Sequence, residues 1–470
     1  MQNNKKKQNQ QKIHENLIFW RYRILFAAII LVFIFDATGL VEKKMYKKLS
    51  DTNIRKAAAF SLHKNPKQLT EDDFPKVTEL SLSVVFLSDI KLLEKFSNLE
   101  KLDLYPNSYA KDINGWMKTW RMISFYNPLR IFISHKIKEV DLAPLRNLTK
   151  IHFLNLGGDL IKNIEPIESM INLKELQLSC GVSDLSPVKN LINIETLFIH
   201  DIEASNLEPI GNLIYLKTLS LFGSSINDIT PIKKLFLLQY LYISNTNITD
   251  LEPIKDIINL MALTISDSPV KNLEPLSDTE NLMNINFTRV PVTNLEPLRS
   301  MTNLRDIRFT EVPITNIEAL SDINLFGLGL SKTPVSDIEP IRNLINITTL
   351  DLKDTKVSDI SPLKNFIKLR KLDLENTNVS DLTPLKELTN LQSLNLRYTR
   401  ITNVEPLEDL YNLKKLWMTN TKVSDISPLN TLFNLEWLGI VNCPNITQKQ
   451  VDALQKDLPD LTIDSNFLNI

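Results

Sequence analysis

Short segments of alternating apolar and polar residues recur along most of the chain. In the segment ITTLDLKDTKVSDISPLKNF, which begins at Ile347, Leu350 and Leu352 alternate with polar residues. This period of two predicts a half-buried β-strand whose leucines face the core. Pro362 then suits the first position of a short helical turn, because a proline has no N–H group to leave unpaired there. The first apolar position recurs in steps of 22 residues within two runs, at Leu216, Leu238, Leu260, Leu282 and Leu304, and at Ile347, Leu369, Leu391, Leu413 and Leu435.

One such unit cannot bury its own apolar side, so consecutive units are expected to stack around a continuous core. A fixed period of this length predicts leucine-rich repeats. The predicted fold is an α/β solenoid with a parallel β-sheet on the concave face, short 3-10 or helical turns on the convex face, and helical caps at both ends. One threonine per repeat is expected to be buried and to bond loop backbone groups. These threonines are Thr246, Thr333, Thr355, Thr377, Thr399 and Thr421.

The pattern also divides the chain into segments. We expect a basic polar tail at 1–16, a membrane segment at 17–41, a basic linker at 42–48, a helical N-terminal cap at 49–76, the repeats at 77–440 and a C-terminal cap at 441–470. Thr70 and Thr447 have the residue type and position of helix N-caps within the two caps. An aromatic insertion at about 105–128 interrupts the period. It is either a longer helix on the convex side or a projecting binding element.

The N-terminal segment contains an unbroken apolar run at residues 24–35, preceded by Arg21 and Arg23. Twelve residues suit the core of a signal peptide, but with the apolar residues on either side roughly 18–20 residues are available to cross a bilayer. We therefore predict a single-pass signal-anchor, with a cleaved signal peptide as the alternative. Six basic residues lie on each side of the run, so charge alone does not set its orientation. The signal-like segment favours a cytoplasmic N-terminus and an extracytoplasmic repeat domain.

Composition excludes several classes of function. The chain has 54 basic and 55 acidic residues, and a net charge of −1 provides no general attraction for nucleic acid. Its two cysteines, Cys180 and Cys443, are 12 repeats apart, which is too far for a disulfide within one solenoid. No metal-binding spacing, phosphate-binding glycine loop or nucleophile motif is present. We therefore expect no catalysis, no cofactor and no metal.

The runs VSDISPLKN, ITDLEPIKD and ITNVEPLED resemble the repeats of internalin-type bacterial leucine-rich repeat proteins. The resemblance extends over roughly residues 49–461 and includes the helical N-terminal cap. It implies an exported, surface-associated protein that binds other proteins through its concave face. The chain lacks the C-terminal sortase motif and cell-wall modules of that family and has the N-terminal segment instead. The alternatives are a cytosolic scaffold resembling the leucine-rich repeat regulators of phosphatases, and a structural surface-coat protein.

Residues predicted to lie on the concave face are mostly small or polar, and two aromatic groups are the exceptions. The first group comprises Phe198, His200, Phe222, Tyr240 and Tyr242, and the second comprises Arg397, Tyr398, Trp417 and Trp437. Exposed aromatic residues and arginine are enriched where proteins bind each other, although aromatic residues also suit strand surfaces in general. The sequence therefore predicts a membrane-tethered module that binds an unknown protein or peptide through these residues.

Overall fold

A computed structural model describes residues 40–84, 87, 89–105, 139–223 and 225–465 of the chain. It contains two compact units, Met1–Met170 and Ile171–Ile470. Nearly all of the predicted membrane segment at 17–41 and the aromatic insertion at 105–128 lie outside the described residues. Among the residues that are described, no helix is both long enough and apolar enough to cross a bilayer.

The described part of the first unit begins with helix α1, Leu40–Ser61, which includes the segment 42–48 that the sequence predicts as a linker. Two 3-10 turns follow, at Pro66–Gln68 and Glu71–Lys76. Thr70 begins the second turn through a capping box, as its position in the sequence predicts, although the element is a 3-10 turn rather than an α-helix.

The carboxylate of Asp73 connects the parts of this cap. It accepts hydrogen bonds from Nζ of Lys64 at 2.7 Å, from the backbone N–H of Thr70 at 3.1 Å and from Nζ of Lys76 at 3.0 Å. These bonds, that of Lys64 above all, hold the pKa of Asp73 well below its usual range. The neighbouring ring of Phe74 is fully buried, with its centroid 4.9 Å from that of Phe96.

The described residues of the first unit also form three parallel strands: β1 Glu79–Ser83, β2 Lys101–Tyr105 and β3 Phe153–Gly158. Strand β1 pairs with β2, and β2 pairs directly with β3, so that Lys101 lies beside Phe153. The side chain of Asn155 donates a hydrogen bond of 2.8 Å to Asp103, 52 positions earlier in the chain. Two strands that are neighbours in the sheet are thus separated by far more than one repeat in the sequence.

In the second unit, the described residues form fourteen strands, with helix α2 between the last two. They are β4 Glu175–Cys180, β5 Thr196–His200, β6 Thr218–Phe222, β7 Tyr240–Ser244, β8 Ala262–Ser266, β9 Asn284–Thr288, β10 Asp306–Thr310, β11 Gly327–Gly329, β12 Thr349–Asp351, β13 Lys371–Asp373, β14 Ser393–Asn395, β15 Lys415–Trp417, β16 Trp437–Gly439, α2 Gln448–Asp457 and β17 Thr462–Asp464. Each strand pairs in parallel with the next one in sequence. This arrangement is the predicted leucine-rich repeat solenoid.

Each repeat packs its apolar residues in the predicted positions. In the repeat that contains β12, Leu350 and Leu352 of the strand region are buried, as are Val357 and Ile360 after it. A 3-10 turn at Ser361–Asn365 closes the repeat. The polar residues between the leucines are only partly buried, so they form the exposed side of the sheet, which we call the sheet face.

The predicted threonine ladder is confirmed, with two variations. All six threonines are buried, and the hydroxyls of Thr333, Thr355, Thr377 and Thr399 each donate to the backbone carbonyl three residues earlier, at 2.6–2.7 Å. The other two hydroxyls lie near a side chain of the next repeat. Thr246 Oγ1 lies 3.1 Å from Ser268 Oγ, and Thr421 Oγ1 lies 3.4 Å from Cys443 Sγ. Cys180 and Cys443 are both buried, and no disulfide joins them.

Two further ladders follow the repeat. An Asp or Asn side chain just before nearly every 3-10 turn accepts a hydrogen bond from a backbone N–H of the turn. Asp359 Oδ1, for example, accepts from the N–H of Ser361 at 2.8 Å. After nearly every strand of the second unit, one residue adopts a left-handed backbone. These left-handed corners are Asp201, Gly223, Asn245, Asp267, Arg289, Glu311, Lys332, Asp354, Asn376, Tyr398, Asn420 and Asn442.

Helix α2 forms the predicted C-terminal cap. Thr447 caps it and forms a capping box with Gln450, while Val451, Leu454 and Leu458 are buried. Strand β17, which the sequence does not predict, follows the helix and pairs with β16.

Candidate partner-binding face

The sheet face of the second unit brings the first aromatic group together on three adjacent strands. Strand β5 carries Phe198 and His200, strand β6 carries Phe222, and strand β7 carries Tyr240 and Tyr242. Side chains at alternate positions of a strand share a face, and neighbouring strands lie about 4.8 Å apart. All five side chains therefore occupy one region of the sheet face, which we call the aromatic cluster.

His200 is at the centre of the ring contacts in the aromatic cluster. Its ring meets Phe198 edge-on with centroids 5.8 Å apart, and it meets Phe222 in the same way at 5.7 Å. Its Nε2 lies 3.0 Å from the hydroxyl of Ser220 on the neighbouring strand β6. Burial lowers the pKa of His200, although the charge of nearby Asp201 opposes this shift. Burial thus favours the neutral imidazole, the form that suits contact with the two phenylalanine rings.

The two tyrosines extend this surface to the next strand. Strand pairing places Ser220 between Phe198 on one side and Tyr242 on the other. Tyr242 is 38% exposed and Phe222 is 40% exposed, whereas Tyr240 is only partly exposed. Within the described residues, neither tyrosine forms a ring contact with the other three aromatic residues. The cluster is therefore a packed trio with two tyrosines beside it, and its hydroxyls are at one margin.

Gly223 follows strand β6 next to the aromatic cluster, and its lack of a side chain allows the close approach of Asp201. Its backbone is left-handed with φ of 61°, and a Cβ atom there would lie 1.7 Å from Oδ1 of Asp201. The N–H of Asp201 in turn donates to the carbonyl of Phe222 at 2.7 Å. The corner beside Phe222 is thus fixed by Asp201 and Gly223 together.

The second group is arranged around a glycine. Strand pairing places Gly439 beside Trp417, and a Cβ atom at residue 439 would lie 3.2 Å from Cδ1 of Trp417 and 3.7 Å from Nε1 of Trp437. Both indole rings therefore lie next to the space that a side chain at residue 439 would occupy. Nε1 of Trp437 is buried and has no hydrogen-bond partner among the described residues. The guanidinium of Arg397 lies 5.6 Å from the centre of the Trp417 ring, within the range of a cation–π contact.

Tyr398 occupies a different environment from the other members of the second group. It follows strand β14 at a left-handed corner with φ of 58° and is 54% exposed. Its N–H donates to the carbonyl of Thr419 at 3.0 Å, which fixes the backbone and leaves the side chain in solvent. Trp417, Trp437 and Arg397 therefore form one packed group, and Tyr398 lies at its border.

Between the two aromatic groups, the sheet face carries charged residues that bond mostly to one another. Lys353 pairs with Glu375 at 2.9 Å, and the amide of Asn395 donates to both Asp373 and Glu375. Asp351 accepts a hydrogen bond of 2.9 Å from the N–H of Lys353. Burial raises the pKa of Asp351, and the neighbouring charge of Asp373 raises it further.

The glycine strand β11 lies beside this charged region. A Cβ atom on Gly327 would lie 2.0 Å from Oδ2 of Asp306, so the carboxylate of Asp306 covers this glycine. Arg308 donates to Asp306 at 2.8 Å and lies against Gly329. The ion pair on β10 therefore folds over a strand that has no side chains on the sheet face.

The sequence identifies the residues of the sheet face but not all of their contacts. Ser220, Gly439 and Asn395 were absent from the predicted groups because a serine, a glycine and an asparagine do not stand out in a repeat rich in small polar residues. Strand pairing alone indicates their positions. Within the described parts of the chain, no three His, Cys, Asp or Glu side chains are placed to hold a metal ion.

Comparison with known proteins agrees with this architecture. Residues 345–387 and 389–431 match the family model for leucine-rich repeats. No curated protein matches the sequence of the chain.

Solved structures with the same fold come from several kingdoms. An internalin, inlF, from Listeria monocytogenes aligns with a TM-score of 0.60 at 23% identity, over 74% of this chain and 96% of the internalin. A leucine-rich repeat protein of Leptospira interrogans aligns with a TM-score of 0.62 at 20% identity, over 70% and 93%. The ectodomain of a plant membrane receptor kinase from Arabidopsis thaliana, GASSHO1/SCHENGEN3, aligns with a TM-score of 0.54 at 13% identity, over 84% and 54%. That ectodomain was solved in complex with CASPARIAN STRIP INTEGRITY FACTOR 2. The chain is therefore a leucine-rich repeat protein whose fold is similar to that of the internalins, a scaffold typical of protein–protein interaction.

Proposed function

We propose that this protein binds a protein or peptide partner through its sheet face, without catalysis, and that the aromatic cluster is the main contact. The N-terminal segment at 17–41 tethers it to a membrane, with the repeat domain on the extracytoplasmic side. The observation that supports this proposal most strongly is the contrast within the sheet face. Next to the cluster, strand β8 presents Ala262, Thr264 and Ser266, whereas β5 to β7 present five aromatic or imidazole rings.

The energetics of protein interfaces support the choice of the cluster. Tyrosine and phenylalanine provide a large contact area with few rotatable bonds, and partly exposed rings lose further exposed area when a partner covers them. The phenol hydroxyls at the margin are suited to hydrogen bonds with a partner's backbone. The packed trio of Phe198, His200 and Phe222 gives these tyrosines a rigid neighbour, because the ring contacts leave the trio little freedom.

A binding experiment with matched tyrosine variants tests this proposal. The full-length protein, in detergent, is used to capture a partner, and the affinity is then measured for the double variant Tyr240→Ala, Tyr242→Ala. We expect a loss of at least about 2 kcal/mol, or roughly 30-fold in Kd, because truncation of hot-spot residues has effects of this size. Tyr411→Ala is the control, since Tyr411 is 50% exposed but lies outside the strands, between a 3-10 turn and β15.

The result separates the two aromatic groups. If the double variant binds as tightly as the wild type, the aromatic cluster is not the contact, and Trp417→Ala becomes the informative variant. If Tyr411→Ala weakens binding as much as the double variant does, the partner contacts the turns rather than the sheet face, and the proposal is wrong.

A further inference from the structure

A row of exposed apolar side chains runs along the turns that lead into strands β4 to β8. The residue four positions before each of these strands is apolar, and in two repeats the next residue is apolar as well. The row consists of Ile171, Ile192, Ile214, Tyr215, Phe236, Leu237 and Ile258, each 41–60% exposed. We call it the apolar edge. None of these residues lies on the sheet face, and the sequence analysis did not single them out.

Hydrogen bonds between neighbouring repeats hold the apolar edge in a fixed geometry. The side-chain amide of Asn193 donates to the carbonyl of Ile171 at 2.8 Å. In the same way, Asn259 donates to the carbonyl of Phe236 at 2.6 Å, and the following repeat continues this pattern at Ile258. Because neighbouring strands are about 4.8 Å apart, the five repeats that carry the row span roughly 20 Å.

Charges beside the apolar edge are predominantly positive. The positions within three residues of the edge include six lysines and three carboxylates. They are Lys174, Lys189, Lys217, Lys233, Lys234 and Lys255, against Glu168, Glu195 and Asp256. Lys174 and Lys217 both bond to Glu195, and Lys255 pairs with Asp278. Lys189, Lys233 and Lys234 have no ion pair among the described residues.

We propose that the apolar edge rests on the surface of an anionic lipid bilayer. A narrow ridge of single aliphatic and aromatic side chains matches a flat interface, because a bilayer accepts such side chains without a complementary pocket. Unpaired lysines on the flank are attracted to acidic headgroups, which repel carboxylates. This contact is separate from the N-terminal tether and from the aromatic cluster.

The same position in later repeats provides an internal control. It is again apolar and exposed at Ile345, Ile367, Tyr411 and Phe433, but it is polar at Glu280, Thr302 and Thr389. Thr302 lies between Glu280 and the buried Ile323 in this row, so no exposed apolar residue of the row adjoins it. A reporter at residue 302 therefore occupies the same position of the repeat as one at residue 214 and is not expected to contact lipid.

The test uses the full-length chain with single reporters. Ile214→Cys and Thr302→Cys are each labelled with an environment-sensitive fluorophore; native Cys180 and Cys443 are buried. Each protein is mixed with vesicles of phosphatidylcholine, with or without phosphatidylglycerol, that contain brominated acyl chains as quenchers. We expect the label at 214 to be quenched at least about twofold more than the label at 302, only when phosphatidylglycerol is present, and less at high salt.

Two further measurements make the outcome decisive. Lys233→Glu with Lys234→Glu, in the Ile214→Cys protein, should reduce quenching to the level of residue 302. Equal quenching at residues 214 and 302 in anionic vesicles would overturn the proposal, as would quenching at 214 that persists in the lysine variants. If a soluble protein rather than lipid covers the edge, the label at residue 214 stays unquenched in anionic vesicles. That result would also overturn the proposal. Flotation of the vesicles reports the N-terminal tether separately, because a protein held only by that segment floats without quenching at residue 214.

Discussion

The buried threonine ladder provides the sharpest test of how the repeats are held together. Thr355 is 5% exposed, and its hydroxyl donates to the carbonyl of Leu352 at 2.7 Å. Replacement by valine keeps the shape of the side chain but removes the donor. The carbonyl then loses its bond in a place that water does not reach, and such a loss costs about 1–3 kcal/mol. We therefore expect Thr355→Val to lower the free energy of unfolding by this amount.

The chain contains a matched control a few residues earlier. The hydroxyl of Thr348 also donates to a backbone carbonyl, that of Phe326, at 3.0 Å, but this bond is exposed to solvent. The same carbonyl also accepts the N–H of Thr348 at 2.8 Å. Water and the backbone therefore replace the lost hydroxyl, and Thr348→Val should change the free energy of unfolding by less than about 0.5 kcal/mol.

Urea unfolding followed by circular dichroism measures both variants. The comparison requires equal slopes of free energy against urea for wild type and variants, because repeat arrays can unfold in parts. Hydrogen exchange at the amides of strands β12 and β13 shows whether the loss spreads to the adjoining repeat. Equal effects of the two substitutions, or a change below about 0.5 kcal/mol for Thr355→Val, would mean that the ladder contributes shape rather than hydrogen bonding.

Two further predictions concern the sheet face and its corners. Burial raises the pKa of Asp351 above its usual 3.8, so the proton favours the folded state at low pH and this stabilisation is lost as the pH rises through the raised value. Asp351→Asn keeps an acceptor for the N–H of Lys353. The urea midpoint of this variant, relative to that of the wild type, should therefore rise as the pH increases from 3.8. A difference between the two midpoints that stays constant with pH would contradict this reasoning. Tyr398 has a left-handed backbone that costs a non-glycine residue about 1–2 kcal/mol, so Tyr398→Gly should raise the free energy of unfolding by roughly 0.5–1 kcal/mol. Asn376→Gly should gain less, since asparagine tolerates this conformation, and an equal gain would show that strain at Tyr398 is not the cause.

The period of the sequence predicts most of the fold because it acts on buried residues. Leu350 and Leu352 have to face the core, and their spacing allows only one register for the strand. The same reasoning places Thr355 in a buried position, where its hydroxyl requires a partner. These predictions concern positions that every repeat shares, so a wrong assignment of strand register in one repeat is detected by comparison with the others.

Contacts on the exposed surface depend on individual side chains, so the period predicts them poorly. The sequence places Trp417 and Trp437 on adjacent repeats, but it does not indicate that the missing side chain of Gly439 lets both rings lie over one position. Tyr398 was assigned to the same group, yet its left-handed backbone places it at the border. Left-handed conformations are hard to anticipate at tyrosine, arginine or lysine, because they are disfavoured for these residues in isolation.

The left-handed corners make whole repeats interchangeable. Residues as different as Arg289, Glu311 and Lys332 adopt the same backbone there, with φ between 51° and 56°, so the path belongs to the repeat and not to the residue. Glu311 and Lys332 are only 21 positions apart, and the corner is unchanged. If residues 354–375 were removed, the strand before the first of two corners would lead directly into the second corner. The backbone would then reach the following strand along an equivalent path. The number of repeats can therefore grow or shrink by duplication or loss of a single segment, and the length of the partner surface can change without any new turn having to be built.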